Sequence, residues 1–117
     1  LAAYSIDANK IAAVVPYSGQ MITHFTERAS KGIGALTPVI DDLAPLAHLR
    51  ADAPPMVIIT GDREMELYGR YEENAYFVRM MKLHGHKDIK LYEIQGFGHN
   101  MRQPGHCILN KYVDKIK

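Results

Sequence analysis

At 117 residues and a formal net charge of +1, the chain is one domain or a piece of a larger one. Hydrophobic residues make up 47% and charged residues 23%, a globular balance rather than that of a disordered segment. The basic residues are dispersed, which excludes a nucleic-acid stripe or polybasic membrane anchor. No apolar run approaches the roughly 20 residues of a membrane span, and the single cysteine, Cys107, excludes an internal disulfide.

The opening "LAAYSIDANK" has no initiator Met, no basic leader and no apolar signal core, the pattern expected of a processed or truncated product. No compartment can be read from it. "IAAVVPYSG" (11–19) and "PPMVIITGD" (54–62) are continuous apolar runs closed by Gly, Pro or Asp. Runs without polar alternation fit strands buried on both faces of a parallel sheet. "IKLYEIQG" (89–96) alternates more and predicts a strand nearer an edge.

Between the last two strands the spacing predicts a helix over about 66–83. Leu67, Tyr71, Ala75, Val78 and Met81 form its apolar stripe, with Arg70, Glu73 and Lys82 opposite and Gly85 as the stop. A last helix is expected from about Pro104, with Ile108, Leu109, Tyr112, Val113 and Ile116 on one face. Strand and helix in alternation is the pattern of a parallel α/β sheet. Residues 20–53 mix Gly, Pro and charge, with short helical possibilities near 39–49. So long an excursion is expected to serve as a lid or pocket wall.

Ligands of open α/β sheets bind beyond the carboxyl ends of the strands. Ser18 follows the first strand, Asp62 and Glu64 the second, and His99, framed by Gly96-Phe97-Gly98, the third. Hydroxyl, carboxylate and imidazole are therefore expected on one rim. An acid and then a histidine, each closing a strand, is the tail of a Ser…Asp/Glu…His order.

The stretch from "DAPPMVIITGDREMELYGRYEENAYF" through "IKLYEIQGFGHNM" resembles the C-terminal part of α/β-hydrolase esterases and lipases, nearest the feruloyl- and acetyl-esterase-like carboxylesterases. "IDANKIAAVVPYSGQ" resembles the strand before their cap region. The resemblance implies a triad acid three residues after the strand-closing glycine, at Glu64, with Asp62 as the alternative, and a triad base at His99. It implies no cofactor or metal. The family's nucleophile stands in Gly-x-Ser-x-Gly, and no such motif occurs here: Pro16 and Gln20 hold the glycine positions around Ser18. The expectation is that Ser18 closes the strand after the nucleophile helix and that the nucleophile elbow lies before Leu1. Ser18 as nucleophile is the less favoured alternative.

Plainer roles stand beside these. His99 can be a polar turn residue, Glu64 a first-turn acid beside the helix dipole, and Asp62 a turn cap. His84 and His86 suit a solvated helix C-terminus rather than a metal site, since no Cys or carboxylate cluster completes a ligand set. Cys107 is expected to be buried or half-buried on the last helix. Tyr17, His24 and Phe25 are candidates for a pocket wall or a surface loop.

The sequence thus predicts an α/β fold: about three parallel strands with flanking helices, residues 1–117 forming the C-terminal part of one α/β-hydrolase domain, and a cap-like excursion at 20–53. The intact parent is expected to be a serine-type carboxylic ester hydrolase acting on a small-molecule ester, and this chain alone to be inactive. The open apolar edge of 11–17 is expected to pair with an absent N-terminal half or with a second copy. A non-catalytic α/β binding or assembly module is the alternative.

Overall fold

The computed structural model describes residues 10–116. The reading of the chain start as that of a truncated product falls mostly on residues 1–9, outside that range. In chain order the elements are α1 (Phe25–Ser30), a 3-10 turn (Pro45–Ala47), β1 (Met56–Gly61), α2 (Arg70–Leu83), β2 (Ile89–Ile94) and α3 (Arg102–Ile116).

β1 and β2 pair in parallel, from Met56 against Ile89 to Gly61 against Ile94. The period-2 alternation of β1 divides the core. Ile58 joins Phe77, Val78 and Met81 of α2, together with Met21, Leu46 and Ile89. Val57 and Ile59 turn the other way, to Met101, with Ile108 and Tyr112 of α3 packed against them. The sheet therefore lies between two helices, and both strands end beside the same pair of turns.

Residues 11–17 are half-buried, with Ala12 exposed, rather than covered on both faces. They meet β1 through isolated parallel bridges, Val14 to Met56 and Tyr17 to Ile59, so the regular sheet has two strands. The backbone bonds explain the interruption. Val14 N–H donates to Pro55 O at 2.9 Å, Val57 N–H to Val14 O at 3.0 Å, Ile59 N–H to Pro16 O at 3.1 Å and Ser18 N–H to Ile59 O at 2.6 Å. In this parallel register the next donor needed is the N–H of residue 16, which a proline lacks.

α2 begins at Arg70, four residues later than its spacing suggests. Gly69, with φ 72°, stands at its N-cap, and residues 62–68 form turns. Arg70 and Glu73, expected on the polar face, are buried, whereas Leu67 is exposed. Cys107 is exposed, against expectation, because α3 turns Ile108 and Tyr112 to the sheet. His86 is buried rather than solvated: its Nε2 lies 2.9 Å from Pro54 O, and Nδ1 accepts the Asp88 N–H. Among the described residues no helix is long and apolar enough to cross a membrane.

The excursion is ordered from within. Arg28 of α1 is buried and donates to the carbonyls of Thr23, Ala35 and Thr37. Three carbonyls around one guanidinium fix the loop without a strand. Beside α2, the excursion and the Tyr68–Gly69 turn line a cleft of about 240 Å³, with Ile22, Leu36, Pro38 and Glu73 in its walls.

Candidate active site

The turns after β1 and β2 are bonded to each other. Asp62 N–H donates to Phe97 O at 2.6 Å, and the Asp62 carboxylate accepts the N–H groups of Gly96 and Glu64, both at 3.0 Å. The Gly96 and Glu64 amides together hold that carboxyl below its usual range. Gly61 lies under this junction, and a Cβ there would run into the carbonyl oxygens of Phe97 and Gly98. Only glycine permits that approach, which carries the turn bearing His99 over the end of β1.

Met65 N–H and Glu66 N–H both return to Asp62 O, at 2.9 and 2.8 Å, closing a tight turn that brings Glu66 back over Gly61. The Glu66 side chain is 1% exposed, and its Oε2 lies 3.4 Å from His99 Nδ1. Oε1 accepts Gly61 N–H at 3.1 Å and Oε2 accepts Leu67 N–H at 2.9 Å. Burial raises its pKa, but the Ser18 hydroxyl, the two amides and the charge of His99 outweigh that, leaving it below the ordinary glutamate value. The carboxylate is thus held ionised and aimed at the imidazole.

Ser18 Oγ stands 2.8 Å from the same Nδ1. The residue is buried, and among the described non-glycine residues it alone has a positive φ, 53°. Arg70, also buried, donates through Nη1 to Ser18 O at 2.6 Å and to Oγ at 3.3 Å. Asn74 and Glu73 hold the next residues, Nδ2 of Asn74 donating to Gly19 O and Glu73 Oε1 accepting Met21 N–H. The His99 side chain is 46% exposed.

Of the residues singled out in the sequence, Ser18 and His99 are in contact. Asp62 ties the turns together through its carboxylate and makes no hydrogen bond to the imidazole. Glu64 is exposed, and its carboxylate makes no hydrogen bond or ion pair among the described residues. The carboxylate beside His99 is Glu66, two residues beyond the position that the family spacing implies. Its signal in the sequence is slight: the last of three acids at alternate positions, Asp62, Glu64 and Glu66. Tyr17 packs on α3, its hydroxyl 2.9 Å from His106 Nδ1, while His24 caps α1 through the Thr26 N–H. His84 bonds Met80 O, and no group of three or more potential metal ligands gathers among the described residues.

A parallel β-α-β unit, with an acid-bearing turn and a histidine-bearing turn bonded together at its carboxyl end, defines an α/β domain. No protein-family model and no curated protein matches the sequence. Solved structures do match the fold. Esterase 2 of the planctomycete Thermogutta terrifontis, phosphoramylated by tabun, superposes with a TM-score of 0.67 at 19% identity, covering 96% of this chain and 45% of that one. The propionate-bound form gives 0.67 at 19% identity over 96% and 46%, and the sarin-phosphonylated form 0.68 at 19% over 96% and 48%. The chain has the fold of part of that esterase and spans less than half its length.

Proposed function

We propose that this chain supplies the acid and base of a serine-type carboxylic ester hydrolase, with His99 as general base and Glu66 as its carboxylate. The carrying observation is the asymmetry of one imidazole, whose Nδ1 faces a buried carboxylate 3.4 Å away while nearly half the side chain remains open. Organophosphate adducts and bound propionate on the similar esterase support an acyl-transfer chemistry.

In this reading Nε2 takes the proton of a serine hydroxyl as its oxygen bonds to the acyl carbon. It then returns that proton to the departing alcohol as the ester C–O bond breaks. Water, deprotonated by the same nitrogen, releases the acid. Glu66 steadies the imidazolium from the Nδ1 side. The nucleophile and the oxyanion-binding amides belong to a segment beyond these 117 residues, so the chain alone is inactive. Exposed Met65 and Phe97, beside the two turns, suit coverage by such a segment.

A second reading makes Ser18 the nucleophile, favoured by its φ of 53° and its 2.8 Å contact with His99. Against it, Ser18 is buried and shares Nδ1 with the acid, whereas nucleophile and acid take opposite nitrogens in such triads. Treating the chain with an organophosphate and mapping adducts by mass spectrometry separates the two. The expected result is an unmodified Ser18; a stoichiometric adduct there would overturn the assignment.

A further inference from the structure

We propose that Ser18 is a positioning residue whose hydroxyl bridges His99 and Glu66, accepting the Nδ1 hydrogen of the imidazole and donating its own to the carboxylate. The inference rests on the reading of His99 as base and Glu66 as its acid, and it names the group that couples them.

The distances carry it. At 3.4 Å the Glu66 Oε2 to His99 Nδ1 contact is an ion-pair separation, longer than a good direct hydrogen bond, whereas Ser18 Oγ is at 2.8 Å. A hydroxyl has one hydrogen to give and two lone pairs to fill. With the imidazole protonated on Nδ1, Ser18 Oγ accepts from His99 at 2.8 Å and from Arg70 Nη1 at 3.3 Å, which fills both lone pairs. Its hydrogen is left for the Glu66 carboxylate standing at the same Nδ1, and the Ser18 hydroxyl is among the groups that lower that carboxyl's pKa. With the proton on Nε2, Ser18 must donate to Nδ1. Glu66 then loses the hydroxyl and faces a nitrogen lone pair. The first arrangement leaves Nε2 unprotonated, as a base requires. No proton changes owner in this bridge; it fixes a tautomer.

The backbone points the same way. A positive φ costs a serine free energy that glycine would not incur. The conformation is held by Ser18 N–H on Ile59 O at 2.6 Å and by the buried Arg70 on the Ser18 carbonyl. What serine adds over glycine at this site is the hydroxyl.

The test is the tautomer of His99 in this chain, read from imidazole ¹⁵N shifts at alkaline pH. The chain itself should show the Nδ1–H form in excess. Ser18→Ala should reduce the Nδ1–H to Nε2–H ratio about fivefold, the worth of one net hydrogen bond. Ser18→Gly, which tolerates the positive φ, should do the same and decides the matter if the alanine variant fails to fold. An unchanged ratio in the folded variant, or an Nε2–H form prevailing in the chain itself, would overturn the proposal. The readout needs no catalysis, so an intact polypeptide without esterase activity would remove the esterase reading and leave this result standing.

Discussion

Asp62 accepts the backbone N–H of Gly96 at 3.0 Å, so the turn that carries the acids is bonded to the turn that carries His99. Its carboxyl is held below the ordinary value of 3.8 by the Gly96 and Glu64 amides. A depressed carboxyl contributes stability that is present above the unfolded value and lost as pH falls through the folded one. Asp62→Asn should therefore lower the melting temperature at neutral pH, with the gap to the parent closing below about pH 4. A gap that stays constant to pH 2 would mean the carboxylate charge is not what joins the turns.

Gly61 allows the same junction sterically. In Gly61→Ala the new methyl meets the Phe97 and Gly98 carbonyls, so the His99 turn must lift from the end of β1. The expected cost is about 1–3 kcal/mol in urea denaturation, the range for overpacked sites. A change within about 0.5 kcal/mol, the scale of an ordinary surface substitution, would show that the turn yields freely.

On the outer side, Arg63 grips Glu93 of β2 through both carboxylate oxygens, at 2.8 and 3.0 Å, and lies over the Tyr71 ring at 4.1 Å. Hydrogen bonds from the Arg63 guanidinium and amide push the Glu93 carboxyl down to about 2. A ¹³C titration should place Glu93 there and move it part of the way back towards the ordinary glutamate range in Arg63→Ala, which keeps the backbone amide on the carboxylate. An unmoved midpoint would assign the shift to some other group.

How much of this was legible in the sequence differs from element to element. β1, β2 and both long helices follow from apolar runs and three- to four-residue spacing, because such patterns report local periodicity and one-sided burial. Arg70 and Glu73 defeated that reading. Their partners, Ser18 and Met21, are 52 residues earlier, and periodicity carries no record of a buried ion that pays its desolvation to a distant backbone. The regular third strand is interrupted at Pro16, whose missing N–H is plain in the sequence although its register is not. His99 was visible from its glycines. Glu66 was not, since only the tight turn from Asp62 brings position 66, rather than 64, over Gly61.

Residues 11–17 are half-buried and meet β1 with one edge. An open apolar edge is a template for pairing. Light scattering of the chain alone should show self-association that rises with concentration. A monomer of 13.2 kDa at all concentrations would show that the edge is protected.

The central claim is that Glu66, not Glu64, serves His99 in ester hydrolysis. Its most direct test is the turnover of p-nitrophenyl acetate by the intact polypeptide carrying Glu66→Gln or Glu64→Gln. Loss of the orienting carboxylate costs about 10⁴-fold in kcat in the Ser-His-Asp triad. Glu66→Gln should accordingly reduce kcat by about 10³-fold or more, while Glu64→Gln, at an exposed side chain, should change it less than about twofold. Full activity in Glu66→Gln, or its collapse in Glu64→Gln, would contradict the account.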